Sequence, residues 1–459
     1  MTNTRSSKIL LLYSIVLSVL IPLIILLIAM ESGRANAQGL PPQPTNLTAI
    51  HRSGQTFLTW TERSDLDDEL YRVYRHSQPI TSTNLMEATL LYTVPEDSAW
   101  FFANRYQVGG GVWQNRYLAR YIIEDGGVEL ADGTGLLVWT LAVTDFDGGS
   151  AGDGYYAITT VVAGVENTTG FTGTNTTGPV SETIATPQAV EITSGSASGW
   201  HRFIQFMDLR HWNSTFHAPR GHNQYYGFSA SDPTAPVITN AIQYAYDYAV
   251  HVPEPGNCGG ALPEQLPVLL VLHPWQGNYY PPPSSAPNTY CTYTIKPVDV
   301  SETWWFGFGR SHDFRNGERP GVGDTIVNYT EQRVLRMIDD LTRKPIGPTV
   351  DVNRVYLRGY SMGASGAVAM ALRYPNVFAA AHADKPMTNY QGDKGWIIGN
   401  AEDKWGNDTY ELPVAIDAPN GWTDHLDSYN GTSVWDWQNH QLHLQSRRAD
   451  TMVPLGITQ

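Results

Sequence analysis

The chain is poor in cysteine, in charge and above all in basic residues, and each shortage excludes something. Two cysteines, Cys258 and Cys291, cannot build a disulfide-stapled scaffold or a cysteine zinc cluster; a single bridge is the most they can form. Lys plus Arg number 29 against 44 Asp plus Glu, a formal net charge of −15, so the basic face that binds nucleic acid is not expected. Only 16% of residues are charged, but 42% are hydrophobic and 11% aromatic. Over 459 residues that excludes global disorder and allows two or three packed domains. Beyond the N-terminus no second uncharged run is long enough to span a bilayer, and there is no internal repeat or low-complexity tract. Nothing in the pattern implies a metal or an organic cofactor.

What is present begins with an export signal over residues 1–37. Arg5 and Lys8 precede an uncharged stretch from Ile9 to Met30, and Ala35-Asn36-Ala37 supplies the small-x-small pattern that signal peptidase cuts. The mature chain would then begin near Gln38. The apolar run exceeds an ordinary signal core, so a membrane anchor over residues 9–30 is the alternative. Under either reading the remainder is expected outside the cytoplasm, secreted or extracytoplasmic.

Pro41, Pro42 and Pro44 make a stiff linker, after which short runs rich in β-branched and aromatic residues alternate with Gly, Asn and Asp clusters. That spacing predicts an all-β sandwich over residues 43–190. Pro44-Thr-Asn-Leu-Thr-Ala, Trp60, Tyr71-Arg-Val-Tyr-Arg and Tyr156-Ala-Ile-Thr-Thr-Val-Val resemble a fibronectin type III domain. The region is longer than that domain, and Asn104 to Thr134 is expected to be an insertion.

From Trp200 to Gln459 strand and helix signals alternate, which predicts a mostly parallel sheet with helices on both faces. Leu266-Pro-Val-Leu-Leu-Val-Leu-His is a nearly continuous apolar run, as a sheet covered on both sides requires. A helix follows with Val334, Leu335, Ile338 and Leu341 on one face and Thr330 as N-cap. Arg354-Val-Tyr-Leu-Arg and Val377-Phe-Ala-Ala-Ala-His-Ala read as strands, separated by a helix that Pro375 stops.

Gly359-Tyr360-Ser361-Met362-Gly363 sits directly between a strand and a small-residue helix. In that context G-x-S-x-G places a serine on a sharp turn at a helix N-terminus, where developing negative charge is favoured. Ser361 is therefore the candidate nucleophile. Its oxyanion would be held by the backbone N–H of Met362 and by a second donor after the apolar strand. There the chain reads His273-Pro274-Trp275-Gln276, and proline has no N–H to give, so Trp275 is the expected donor and Gln276 the second choice. His273 is read as shaping the loop rather than as a base. Leu442-His-Leu-Gln-Ser-Arg-Arg-Ala-Asp450-Thr-Met-Val-Pro454 resembles the acid-bearing loop of α/β-hydrolases, which makes Asp450 the expected acid and Asp384 the runner-up. No histidine follows Asp450, and His425, His440 and His443 precede it. A catalytic histidine is accordingly expected beyond Gln459, on a longer chain. In an exported protein Cys258 and Cys291 are expected to pair. Tyr279-Tyr-Pro-Pro-Pro and Trp304-Trp-Phe-Gly-Phe-Gly are candidates to line a substrate cleft.

Val350-Asp-Val-Asn-Arg-Val-Tyr-Leu-Arg-Gly-Tyr-Ser-Met-Gly, Arg373-Tyr-Pro-Asn-Val-Phe-Ala-Ala and Asp450-Thr-Met-Val-Pro resemble secreted esterases of the polyhydroxybutyrate depolymerase and feruloyl esterase type. They also resemble the catalytic domain of prolyl oligopeptidase-like peptidases. The resemblance implies an α/β-hydrolase fold behind the fibronectin-like sandwich. It also implies a serine hydrolase acting on an ester-bearing polymer, an oligosaccharide ester or a peptide. The chain has no propeller repeat ahead of this region, which favours esterase over peptidase. A non-catalytic surface adhesin on a degenerate hydrolase fold is the contrasting reading, and the intact Gly-x-Ser-x-Gly turn weighs against it.

Overall fold

A computed structural model describes residues 39–67, 69–96, 98–99, 105–108, 112–115, 122–125, 128–132, 134–140, 152–191, 199–207, 244–275, 290–299, 302–310, 319–387, 390, 397–416, 435 and 455–458. The expected export signal or anchor, the Tyr279 loop, Gln276, His425, His440, His443 and Asp450 all lie outside these residues. Among the described residues no helix is long and apolar enough to cross a membrane.

The first domain is two facing antiparallel sheets. Strands β1 (Thr45–Arg52), β2 (Gln55–Thr61) and β9 (Gly135–Thr140) form one sheet in the order β1-β2-β9. The other contains β3 (Leu70–His76), β4 (Thr89–Pro95), β10 (Asp153–Val162) and β11 (Val165–Glu166) in the order β11-β10-β3-β4. Strand β12 (Thr176–Ser181) also pairs with β10. Between β4 and β9 the chain makes two hairpins, β5 (Arg105–Val108) with β6 (Val112–Asn115) and β7 (Ile122–Asp125) with β8 (Val128–Asp132). Leu58, Trp60 and Leu137 from one sheet meet Tyr71, Val73, Tyr156 and Ile158 from the other. The buried Tyr71 hydroxyl donates to Glu69 Oε1 (2.7 Å) and accepts from Arg63 N–H (2.9 Å), so that hydroxyl is satisfied within the core.

The second domain is an eight-stranded sheet in the order β13-β14-β15-β17-β16-β20-β21-β23. Strands β13 (Val190–Glu191), β14 (Trp200–Met207), β15 (Tyr244–His251) and β17 (Tyr293–Pro297) pair antiparallel. From β17 onward the ladder is parallel: β16 (Gln265–Leu272), β20 (Thr349–Tyr360), β21 (Ala380–Asp384) and β23 (Leu455–Thr458). Helices α1 (Tyr329–Arg343) and α2 (Met362–Arg373) share the core of this sheet. A small sheet of β18 (Phe308–Gly309), β19 (Ile326–Val327) and β22 (Val414–Ala415) lies with α3 (Ile397–Trp405) beside it. Cys258 and Cys291 form a disulfide. Cys258 precedes the N-terminal end of β16 and Cys291 that of β17, so the bridge pins the sheet edge opposite the strand ends at which Ser361 sits.

Helix α1 starts at Tyr329 with Asn328, not Thr330, as its N-cap. Thr330 lies inside the helix because its hydroxyl bonds Thr303 Oγ1 across the core (2.6 Å). The helix is buried on nearly every side, charged residues included, with the sheet and the connection both bonded to it. Gln205 Nε2 donates to Arg333 O (3.2 Å), and Asp340 Oδ2 accepts from Ala189 N–H (3.2 Å). The strand expected from Val377 begins at Ala380, since Val377 and Phe378 instead donate to Tyr374 O and close the turn that follows Pro375.

The two domains share a core. Strand β2 buries both of its faces: Leu58 and Trp60 point into the sandwich, while Phe57 packs edge-on against Phe206 of β14 with ring centroids 5.7 Å apart. Leu136, Val138, Val190 and Ile204 complete this cluster. The connection is held along its length. Glu182 accepts from Thr56 Oγ1 (3.1 Å) and Arg75 Nε (3.0 Å), and Thr183 N–H donates to His51 Nε2 (3.0 Å). Arg52 reaches Gln188 O (2.5 Å) and Ala189 O (2.9 Å).

Candidate active site

Strand β20 carries the chain to the turn on alternating buried positions, Val355, Leu357 and Gly359. A Cβ at Gly359 would fall far inside contact distance of Gly363 O, and one at Gly363 would strike Leu272 O at the end of β16. Only glycine lets the turn close on itself and start α2 against the neighbouring strand. Between them Ser361 has φ 53° and ψ −118°, a left-handed conformation costing about 1–3 kcal/mol for a residue with a Cβ. Its backbone is braced on both sides. Ser361 N–H donates to Asp384 O (2.9 Å), and Ser361 O accepts from Ser365 N–H (3.0 Å).

Met362 is the first residue of α2, where no carbonyl within the helix can reach its N–H, so that donor and the positive end of the helix dipole are directed at the turn. Trp275, two residues past His273, is half-buried and packs against the main core. The contact between the first turn of α2 and residues 272–273 brings these two sequence-expected donors to one edge of the sheet.

His273 is fully enclosed and uses both ring nitrogens on backbone. Nε2 accepts from Asp299 N–H (2.8 Å), which puts the ring proton on Nδ1, and Nδ1–H donates to Pro274 O (2.7 Å). Burial, with Arg333 adding to it, lowers its pKa to about 4. A neutral imidazole tied in this way shapes the loop and is not a base. Asp299, buried beside it, was not singled out from sequence. Its Oδ2 accepts from Thr303 N–H (2.8 Å) and Trp305 N–H (3.1 Å), and burial raises its pKa to about 6.

The register places Tyr360, Asp384 and Thr458 side by side across β20, β21 and β23. The Asp384 side chain accepts from Thr458 Oγ1 (2.7 Å), and its carbonyl holds Ser361. Asp450 and the strand expected directly before it lie outside the described residues, and β23 follows them in the chain. Because β20 and β23 run parallel, the chain enters β23 at the edge opposite the one where it leaves β20 for Ser361. Among the described residues no histidine is hydrogen-bonded to Ser361.

The Trp304 run does not line a cleft. Trp304, Trp305, Phe306 and Phe308 are buried, and Trp304 meets Tyr390 edge-on (5.3 Å), which in turn meets Trp405 (5.1 Å). These rings are core because Trp305 fits a groove that α2 opens with Gly366, where a Cβ would lie 2.5 Å from Trp305 Cβ. Beneath α2 a buried ion pair joins Glu331 of α1 to Arg373, with Tyr374 Oη (2.8 Å) donating to the same carboxylate.

No protein-family profile matches the chain, and no curated protein matches it. Among solved structures it is similar to the fluorophosphonate-binding serine hydrolase F of Staphylococcus aureus, at 15% identity over 49% of this chain and 87% of that one, with TM-score 0.27. It is similar to an S-formylglutathione hydrolase from Agrobacterium tumefaciens at 14% identity over 58% and 89%, TM-score 0.30. A thermostable esterase matches at 12% identity over 90% and 89%, TM-score 0.25. Each is a hydrolase or esterase of low identity, and the functional reading rests on the chain's own site.

Proposed function

We propose that the chain is an exported serine hydrolase that cleaves an ester through an acyl-enzyme on Ser361. The observation that carries the reading is the strained serine between two glycines that admit no side chain, at the N-terminus of α2 and beside the loop after β16. Ser361 Oγ attacks the acyl carbon, and the alcohol leaves as the tetrahedral oxyanion, held by Met362 N–H and Trp275 N–H, collapses. Water then releases the acid. Asp384 is the described carboxylate at Ser361's edge, while Asp450 has the sequence pattern in its favour. His425, His440 and His443 are the histidines near the end of this chain to be tested as base.

The disulfide supports export, because such bonds persist in oxidising compartments, and so does the basic-apolar-Ala35-Asn-Ala37 start. The three-plus-five strand arrangement of the first domain and its Trp60–Tyr71 core support a fibronectin type III-like module interrupted by the two hairpins. An ester-bearing polymer or oligosaccharide ester is the proposed substrate class, with peptide second.

Ser361→Ala provides the test. Hydrolysis of p-nitrophenyl acetate by the full chain should fall by several orders of magnitude, since losing a triad nucleophile costs about 10⁶ elsewhere. Turnover that survives in the variant refutes the assignment. A peptide p-nitroanilide hydrolysed faster than the ester would favour the peptidase reading.

A further inference from the structure

Residues 302–305 hold an unusual amount of backbone strain. Glu302, Trp304 and Trp305 have φ of 51°, 56° and 63°, three left-handed residues in four, none of them glycine. Such strain persists only where the surroundings over-determine it. Here the buried Asp299 carboxylate does so, accepting from Thr303 N–H, Thr303 Oγ1 and Trp305 N–H.

The strained turn delivers one side chain to one place. The Trp305 indole meets the His273 ring edge-on (centroids 4.8 Å) and donates Nε1–H to His273 O (3.2 Å). On its other side its Cβ fills the space that Gly366 leaves on α2. His273 O is also the carbonyl that lies against Gly363 at the start of that helix. Trp305 is thus wedged between the loop that carries Trp275 and the helix that carries Met362.

Resting on the hydrolase reading above, we infer that Trp305, held by Asp299, is a positioning residue that sets the separation of the two oxyanion donors. It does so by fixing the His273 carbonyl relative to α2. Catalysis of this kind depends on donors aimed at where charge develops, and a displacement near 1 Å in such an arrangement can cost on the order of 100-fold. The ground-state ester does not yet carry that charge, so its binding is indifferent to the wedge.

Trp305→Phe keeps a ring in the groove and removes only the Nε1–H to His273 O. In the full chain kcat for p-nitrophenyl acetate should fall roughly 10- to 100-fold with KM within about twofold. Inhibition by phenylboronic acid, whose serine adduct is tetrahedral and anionic, should weaken in parallel with kcat. Trp405→Phe is the matched control, since it also loses one buried indole bond, Nε1–H to Gly307 O (2.9 Å), away from the His273 loop. It should leave kcat and boronate affinity unchanged. Wild-type kcat in Trp305→Phe, or an equal fall in both variants, overturns the positioning role alone. Should Trp305→Phe fail to fold, Thr303→Val, which removes a hydroxyl from the Asp299 carboxylate, must give the same split between kcat and KM or the proposal falls. If the wild-type protein shows no turnover that depends on Ser361, the hydrolase reading fails and takes this one with it.

Discussion

Replacing Asp299 with Asn should expose a pH dependence that the native protein conceals. Burial raises the Asp299 carboxyl from 3.8 to about 6, so between those values the folded state holds a proton that the unfolded state has lost, and stability falls as pH rises. At 1.36 kcal/mol per pH unit the fall amounts to about 3 kcal/mol. His273 works in the opposite sense. Its pKa is lowered from 6.5 to about 4, so the unfolded state binds a proton through that window while the folded state does not, and stability rises with pH by about 3 kcal/mol. The two buried neighbours, joined by the Asp299 N–H to His273 Nε2 bond, nearly cancel. In Asp299→Asn the amide oxygen can still accept from Thr303 and Trp305, so the turn is retained and only the His273 contribution remains. Urea unfolding at pH 4.5 and pH 7 should then show the variant gaining about 2 kcal/mol more than wild type between the two pH values. Parallel stability curves for wild type and variant would refute the linkage.

Gly363→Ala drives a methyl into the Leu272 carbonyl at the start of α2, so it should lower the melting temperature and abolish ester hydrolysis even though Ser361 is intact; a folded, active variant contradicts the packing described. Reducing the Cys258–Cys291 bridge, which closes a loop of 33 residues, should cost about 3 to 4 kcal/mol in the chain-entropy model. Because the bridge lies at the edge away from Ser361, activity at 25 °C should survive in the Cys258→Ala/Cys291→Ala double variant while its denaturation midpoint drops.

Much of this architecture was legible from local pattern. The apolar run from Leu266 to Leu272 and the glycines around Ser361 each follow from constraints within a few residues of themselves, and they need no knowledge of what lies across the core. The cradle under His273 was not legible. Asp299 comes from a loop after β17, Trp305 from a turn whose left-handed residues carry no glycine signal, and Gly366 from α2, so only the fold brings them together. The Trp304 run illustrates the same limit: aromatic clustering is compatible with a cleft and with a core, and the small-residue face of α2 decided for core. Thr330 looked like a cap because a threonine before an apolar helix is one pattern with two uses. Its partner, Thr303, is 27 residues away.

The connection between the domains is stitched to both of them from Glu182 to Ala189, and Phe57 and Phe206 close one core over it. A flexible tether would let an attached module search, with an effective concentration set by linker length. This chain has no such slack among the described residues. Anything held on the sandwich is presented to the serine edge at one distance and one angle, so the first domain acts as a ruler rather than as a leash.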